Sequence, residues 1–245
     1  MFPLDLPLPG EILLITDELA SPADFLLHRS LFAHLKKSKD AKCIILSVAQ
    51  DSARWKSIAG QISPSFARSL AAQSVVFLDA MQGIASPPPY DSSAIEYVKS
   101  LLDKLRSTLS NYDEALHVET LVILDDIVTL EWIGLPVLEL IRFSRMLCAL
   151  SRKMNFALIL RYHTVTPGEP DELLRHLLQL CTYRVDVFPL SSGRSGAVSG
   201  QIALHAGPAV SNPRFSLVPR SAAIHYRLID TGSVFFDRGT GAGVL

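Results

Sequence analysis

Charge and cysteine are both scarce in this sequence. Charged residues make up 19% of the 245 residues and the formal net charge is −1, so no overall positive charge indicates a nucleic-acid partner. The three cysteines, Cys43, Cys148 and Cys181, are widely spaced within apolar runs. This pattern is typical of buried, reduced thiols in a cytosolic or nuclear protein, and it argues against both a disulfide framework and a cysteine metal site.

Long apolar segments are also missing. No segment is both apolar and uncharged over the roughly 18 residues that a membrane helix needs, so we expect no membrane association. The opening MFPLDLPLPG carries an aspartate and three prolines, where a secretory signal needs a positive start and an unbroken apolar stretch. We therefore expect a cytoplasmic protein, and the sequence leaves nuclear residence open.

Short apolar runs, in contrast, are abundant, and 49% of the residues are hydrophobic. Five runs are continuous rather than alternating, which is typical of strands in a parallel sheet with helices on both faces. Helical patterns lie between them, at about 22–37, from about 92, and at about 136–152. The pattern predicts an α/β fold with a mainly parallel central sheet. The five predicted strands are 12–16, 43–48, 75–78, 121–124 and 156–160.

After residue 170 the pattern changes. A helical PDELLRHLLQL is followed by YRVDVF at 183–188, which alternates polar and apolar residues as a half-exposed strand does. Further strands are predicted at 201–205, 222–230 and 233–237, as an antiparallel extension of the sheet. We expect a single domain over residues 1–245, with a parallel core at about 11–164 and a C-terminal helix and antiparallel strands at about 170–240.

A phosphate-binding loop is absent from the place where such a fold would put it. The run LVILDDIVTL at 121–130 looks like a buried strand that presents Asp125 and Asp126, as the magnesium-holding strand of a nucleotide hydrolase does. The loop should follow the first strand, but the residues there are TDELASPADF, and no glycine occurs between Gly10 and Gly60. Without glycine the backbone cannot wrap closely around a triphosphate. We predict neither a nucleotide site nor catalytic residues.

This absence decides how the two aspartates are interpreted. Asp125 and Asp126 could hold magnesium, or their carboxylates could cap and hydrogen-bond the following loop. We favour the second role and interpret them as a degenerate Walker B-like pair. The histidines include no closely spaced metal pair, so we expect no metal and no cofactor. His163, which follows Arg161 at the end of the fifth predicted strand, is interpreted as structural.

Two segments are candidates for contacts with partners. The predicted helix at 136–152 is so apolar that it is either sandwiched within its own domain or exposes apolar surface to a partner subunit. The loop SSGRSGAVSG at 191–200 is either a flexible connection or a segment that brings Arg194 to an RNA phosphate. Trp55 and Trp132 are interpreted as packing residues. The candidate interface residues on the helix are Leu138, Ile141, Arg142 and Arg145.

Several segments together resemble the sixth subunit of the Elongator complex. They are KSIAGQ at 56–61, QSVVFLDAMQ at 73–82, LVILDDIVTLEWIGLPVLELIRFSRML at 121–147 and the terminal YRLIDTGSVFFDRGTGAGVL at 226–245. Their order matches over nearly the whole chain, and the closing Tyr…Asp…Ser-Val-x-Phe…Gly…Val-Leu pattern is fairly specific. The resemblance implies a RecA-like domain without the Walker A phosphate loop.

The resemblance also implies a function. Members of this family assemble with the fourth and fifth Elongator subunits into a ring of six RecA-like domains, two copies of each. The ring associates with the catalytic subunits, binds tRNA and is required for wobble-uridine modification. This chain is then expected to be a non-catalytic subunit, with the helix at 136–152 at an interface and Arg194 as a candidate RNA contact. Two rivals stay open: an active RecA-like ATPase with an atypical nucleotide loop, and an RNA-binding module that works alone.

Overall fold

A nine-stranded mixed sheet runs through the part of the chain that the computed structural model describes, residues 6–62, 66–82, 92–113, 118–166, 168–193, 195–230 and 232–237. The strands are β1 (Ile12–Glu18), β2 (Lys42–Ser47), β3 (Val75–Asp79), β4 (Thr120–Leu124), β5 (Ala157–Thr164), β6 (Tyr183–Phe188), β7 (Gly200–Ala206), β8 (Ile224–Ile229) and β9 (Gly232–Phe236). Their order is β3-β2-β4-β5-β1-β6-β7-β8-β9. The first six in this order are parallel, and β7, β8 and β9 add in antiparallel fashion. The predicted α/β class, with its antiparallel C-terminal strands, is confirmed.

Helices cover both faces of the parallel part. They are α1 (Asp24–Lys37), α2 (Ser52–Ile62), α3 (Phe66–Ala71), α4 (Ser92–Asp113), α5 (Val128–Trp132), α6 (Val137–Met154) and α7 (Glu172–Leu180). One core lies between the sheet and α1, α2 and α3, and the other lies between the sheet and α4 to α7. No helix among the described residues is both long and apolar enough to cross a bilayer.

The continuous apolar runs follow from this two-sided burial. Successive side chains on a strand point to opposite faces, so in β1 Ile12 and Leu14 enter one core while Leu13 and Ile15 enter the other. Each of these four side chains is at most 4% exposed. A strand buried on both faces needs apolar residues at every position, which is the pattern that the sequence shows.

Strand β5 is longer than predicted, and the extra residues shape the functional edge. It pairs with β1 from Leu158 to Thr164, with Ile15 opposite Arg161 and Asp17 opposite His163. The predicted strand ended at residue 160 because polar residues follow. They remain in the strand because the end of β1 beside them is charged too, so the polar side chains of the two strands satisfy one another.

Candidate functional site

The carboxyl ends of the parallel strands form one edge of the sheet, which is where open α/β folds bind ligands. Strand β5 separates β1 from β4, and β2 lies on the far side of β4. Polar residues therefore come together here from distant parts of the chain. They include Asp17 from β1, Ser47 from β2, Asp125 and Asp126 after β4, and His163 from β5.

The segment after β1 occupies the position of a phosphate loop, and a backbone donor at its end is already paired with a carboxylate. The Asp17 side chain, which is 1% exposed, accepts a hydrogen bond at 2.7 Å from the backbone N–H of Ala23 at the start of α1. The amino end of a helix would otherwise favour a bound phosphate. Asp24 adds a second carboxylate to the same helix end. The site that a phosphate would use is thus filled by the protein's own carboxylates.

Arg161 bridges these two carboxylates from β5. One of its terminal nitrogens lies 2.7 Å from Oδ2 of Asp17 and the other lies 3.0 Å from Oδ1 of Asp24, while Nε donates to Asp17 at 3.2 Å. Arg161 is 6% exposed. Burial lowers its pKa, but the hydrogen bond and charge of Asp17 outweigh burial and raise the pKa above the ordinary value. The guanidinium of Arg161 is therefore neutralised by Asp17 and Asp24 before any ligand arrives.

His163 completes the network. Its Nδ1 lies 3.2 Å from Oδ1 of Asp17, and this hydrogen bond raises the pKa of His163. Burial on its own would raise the pKa of Asp17, yet the hydrogen bonds from His163 and Arg161 hold that pKa below its usual value. Asp17, Asp24, Arg161 and His163 satisfy one another, and we call them the edge network. In this network both oxygens of Asp17 and all three nitrogens of the Arg161 guanidinium are engaged by protein partners.

Asp125 has a hydrogen-bonding role. Its Oδ1 accepts from the backbone N–H of Val48 at 2.6 Å and of Ala49 at 3.1 Å, and its Oδ2 accepts from Gln50 N–H and from the Ser47 hydroxyl, each at 3.2 Å. Burial raises its pKa, and these backbone donors offset part of the effect. The carboxylate shapes the turn that follows β2, and both of its oxygens are occupied.

Asp126 has the same kind of role on the other side. Its carboxylate accepts from Val128 N–H at 3.0 Å and from the Thr129 hydroxyl at 2.8 Å, and it lies 3.4 Å from the His163 N–H. It thereby holds the first turn of α5 against β5. These contacts support the capping interpretation of the Walker B-like pair. Among the described residues no group of three or more His, Cys, Asp or Glu side chains is arranged to hold a metal.

A second buried carboxylate, Asp186 on β6, was not singled out from the sequence. It is 4% exposed and accepts from the Thr16 hydroxyl at 2.8 Å. Arg184 lies 2.9 Å away and Arg220 lies 3.2 Å away. The alternating YRVDVF pattern indicates a solvent-facing aspartate, but Arg220, which lies 34 residues later, packs over it. The cleft beside it has a volume of about 210 Å³, below the roughly 300 Å³ of a typical ligand pocket.

The predicted interface helix divides into two kinds of residue. Leu138 is 55% exposed, and Arg142 and Arg145 are exposed. Ile141 is only 5% exposed and packs in the core beneath α6, so its place in the predicted interface is wrong. The helix is therefore packed within its own domain on one face and exposed on the other, where Met146 is also exposed. Arg194, the candidate RNA contact, lies outside the described residues.

The two tryptophans differ as well. Trp55 is 1% exposed and packs on His28, with ring centroids 4.4 Å apart. Trp132, at the end of α5, is 61% exposed, so the interpretation of Trp132 as a packing residue is wrong. A helix of five residues is too short to show in its sequence which face it buries, so the exposure of this indole could not be predicted.

The fold is similar to that of a KaiC-like protein from the hyperthermophilic archaeon Pyrococcus horikoshii. The two structures superpose with a TM-score of 0.68 over 93% of this chain and 90% of that chain, at 7% sequence identity. At this identity the likeness concerns the fold alone. It agrees with the RecA-like architecture that the sequence resemblance implied.

Comparison with protein families gives the identity of the chain. No curated protein matches the sequence. A family model does match, however, and it covers residues 4–230 of the 245. A match of this extent leaves few residues outside the family's pattern. The chain belongs to the Elongation complex protein 6 family, whose members are subunits of the Elongator complex.

Proposed function

We propose that this protein is a non-catalytic subunit that builds a heterohexameric RecA-like ring with the fourth and fifth Elongator subunits, two copies of each. The ring associates with the catalytic Elongator subunits, binds tRNA and supports modification of the wobble uridine. Family membership supports the Elongator part of this proposal. The observation that carries the ring is the distribution of exposed apolar side chains.

Seven of the ten large apolar side chains that are exposed among the described residues lie at two separate places on the sheet, and Ile95, Met146 and Leu217 belong to neither. The first, the carboxyl-edge patch, consists of side chains after β1, β4 and β5. The second, the terminal-strand patch, lies on β8 and β9. The carboxyl-edge patch comprises Leu19 (79% exposed), Trp132 (61%), Val165 (57%) and Leu138 (55%), and the terminal-strand patch comprises Val234 (48%), Leu228 (43%) and Ile229 (40%).

The two patches suit a head-to-tail ring. Strands β5 and β8 are four places apart in the sheet, which is roughly 19 Å at about 4.8 Å per strand. In a head-to-tail assembly each subunit presents two different surfaces, and closure of the ring prevents filaments. Exposed apolar groups at two such places support burial against two different neighbours.

The edge network supports the non-catalytic part of the proposal. Arg161, which could otherwise face a phosphate, is held by Asp17 and Asp24 at 2.7 and 3.0 Å. Binding a triphosphate here would add negative charge beside two carboxylates, with no unpaired cation in the network to offset it. Any ATP hydrolysis by the assembled ring is therefore attributed to its other subunits.

Co-expression with the fourth and fifth subunits tests the ring. The expected result of light scattering on a size-exclusion column is one species with the mass of two copies of each chain. A monomer that ignores both partners would contradict the proposal. Leu138→Asp on α6 should weaken assembly, whereas Ile95→Asp on α4 is the matched control, since Ile95 is a partly exposed apolar residue outside both patches.

The RNA part needs its own test. Arg194→Ala in the assembled ring should lower affinity for tRNA and reduce the dependence of binding on salt. Without this phosphate contact, binding releases fewer counterions from the RNA. Arg106→Ala is the control, since Arg106 is an exposed arginine on α4 paired with Asp103. Equal tRNA affinity for the ring and its Arg194 variant would remove this residue from the RNA contact.

A further inference from the structure

A cleft beside Trp132 is the feature that the proposed function leaves unused. It has a volume of about 460 Å³ and lies between the end of α5 and the segment that connects β5 to α7. Its apolar lining includes Val128, Trp132, Val165, Pro170 and Leu174. A volume of this size falls in the range of sites that receive a side chain or a small ligand.

Apolar groups in the cleft face water. Trp132 is 61% exposed and Val165 is 57% exposed, although both line the same concave surface. An indole is the largest apolar side chain that a protein can bury and is enriched at the centres of protein interfaces. A partner that covers this cleft would therefore remove a large apolar surface of the carboxyl-edge patch from water.

The rim of the cleft carries charge of one sign. Glu131, Glu169 and Asp171 line it, and no lysine, arginine or histidine is among the described residues that do so. The pKa of Glu131 is raised by partial burial and by the charge of Asp171. Both causes disfavour the ionised form of the Glu131 carboxyl.

One of these carboxylates is held rigidly. Asp171 is the N-cap of α7 and accepts from Leu174 N–H at 2.8 Å, while the Tyr162 hydroxyl donates to its other oxygen. A carboxylate fixed in this way loses little conformational entropy when it pairs with a cation. Asp171 is thus a fixed negative charge in the cleft, which Glu131 and Glu169 also line.

We propose that the Trp132 cleft receives a basic side chain, arginine or lysine, from a segment of the neighbouring ring subunit, with an apolar residue of that segment against Val165. The cation lies on the indole face of Trp132 and pairs with the carboxylates of Glu131 and Glu169. Cations bind to tryptophan faces more strongly than to any other aromatic ring. RNA is disfavoured as the occupant because its phosphates would meet three carboxylates. The inference rests on the proposed ring for the identity of the neighbour.

Fluorescence gives a direct test, because the chain has two tryptophans and only one is exposed. Acrylamide quenching is measured for this chain alone and after addition of the co-purified fourth and fifth subunits. The difference between the wild-type protein and its Trp132→Phe variant isolates the signal of Trp132. Trp55 is already shielded, and the tryptophans of the partner subunits contribute equally to the wild-type and the variant samples. We expect the Trp132 signal to shift to the blue and its quenching to fall about threefold or more on assembly.

The outcomes separate this inference from the proposed function. A ring of the expected mass in which Trp132 stays as open to acrylamide as before would overturn the cleft proposal and leave the ring intact. Absence of any ring, with Trp132 unchanged, would overturn both. Shielding of Trp132 by tRNA alone, without protein partners, would also overturn the proposal and identify RNA as the occupant.

A charge-removal pair tests the basic side chain. Glu131→Gln with Glu169→Gln removes two charges and spares Asp171, which caps α7. We expect binding of the partner pair to weaken about five- to twentyfold at low salt and to lose much of its salt dependence. Glu96→Gln with Asp103→Asn on α4 is the control that removes the same charge elsewhere. Unchanged affinity in the cleft variant would show that the occupant carries no cation.

Discussion

Removal of Arg161 is the sharpest test of the edge network. Arg161→Met keeps a long, unbranched side chain but leaves the Asp17 carboxylate, which is 1% exposed, without its guanidinium partner. Breaking a buried ion pair from one side costs about 3–5 kcal/mol, because the remaining charge stays buried and unpaired. His163 still contacts Asp17 at 3.2 Å. We therefore expect a loss of roughly 3 kcal/mol where the imidazole is neutral.

The loss should depend on pH in a direction that the network fixes. In the folded wild type the pKa of Asp17 is lowered from 3.8, so its contribution to stability is present above pH 3.8 and is lost as pH falls through the folded pKa. In the variant the pKa is expected to rise, so the ionised carboxylate costs stability at high pH and this cost disappears on protonation. The difference between the proteins should shrink as pH falls.

His163 adds to this trend. Its pKa is raised from 6.5 by Asp17, so its contribution is present below 6.5 and is lost as pH rises through the folded pKa. At pH values below its pKa, His163 is protonated and can replace part of the positive charge that the variant loses with Arg161. The destabilisation should consequently be larger at pH 8 than at pH 5.

Urea unfolding followed by circular dichroism measures the effect at both pH values. The double variant Asp17→Asn with Arg161→Met is the control, since it removes both charges and leaves an oxygen that accepts from Ala23 N–H. It should recover most of the lost stability. A loss below about 1 kcal/mol for Arg161→Met at pH 8, or an equal loss at the two pH values, would refute the reasoning.

Three further predictions follow from other buried groups. Gly207→Ala would place Cβ 1.9 Å from the carbonyl oxygen of Cys181, so we expect a loss of about 1–3 kcal/mol in urea unfolding, whereas Gly196→Ala, with open space around it, should cost little. Burial lowers the pKa of His28 from 6.5 to about 4, so the unfolded chain takes up a proton first and stability should fall by up to roughly 3 kcal/mol as pH drops from 6.5 to 4; His28→Leu should flatten that segment of the pH profile. Calorimetric titration with magnesium ATP should be flat for the wild type, and Asp125→Ala should lower stability by about 1–3 kcal/mol through its lost backbone hydrogen bonds; heat of binding that Asp125→Ala abolishes would instead support an ATPase.

The parallel core could be predicted because its pattern is local. A strand covered on both faces must be apolar at each position, and Ile12–Ile15 shows this without reference to the rest of the chain. Exposure on α6 could not be read in the same way. Leu138 and Ile141 are three residues apart, yet one is 55% exposed and the other 5%. The difference follows from the helical period, because Leu138 shares the exposed face of α6 with Arg142 and Met146, four and eight residues later, whereas Ile141 faces the core. Which face of so apolar a helix is exposed depends on how it packs against the sheet.

The edge network was visible only in part for a related reason. The absence of glycine from TDELASPADF was enough to predict that this segment does not wrap a phosphate. Arg161, the partner of Asp17 and Asp24, lies 144 residues after the first and 137 residues after the second. The contact exists because β1 and β5 are neighbours and Ile15 is in register with Arg161. Strand order is a property of the whole fold, so the pairing could not be derived from either segment alone.

The absence of a phosphate loop and the exposed apolar side chains occur at the same edge of the sheet, and one physical argument relates them. A nucleotide-binding edge tolerates unpaired donors and cations because the ligand satisfies them. Without the loop, Asp17 and Asp24 would be unpaired carboxylates at the end of a buried sheet, and Arg161 supplies the compensation from within the chain. The polar groups of the edge are then satisfied without a ligand, so in the proposed ring we expect its geometry to be independent of nucleotide bound by another subunit. Such a constant surface suits a subunit whose exposed Trp132 and Leu138 are proposed to meet a neighbour, since the neighbour's contacts do not depend on a nucleotide cycle in this chain.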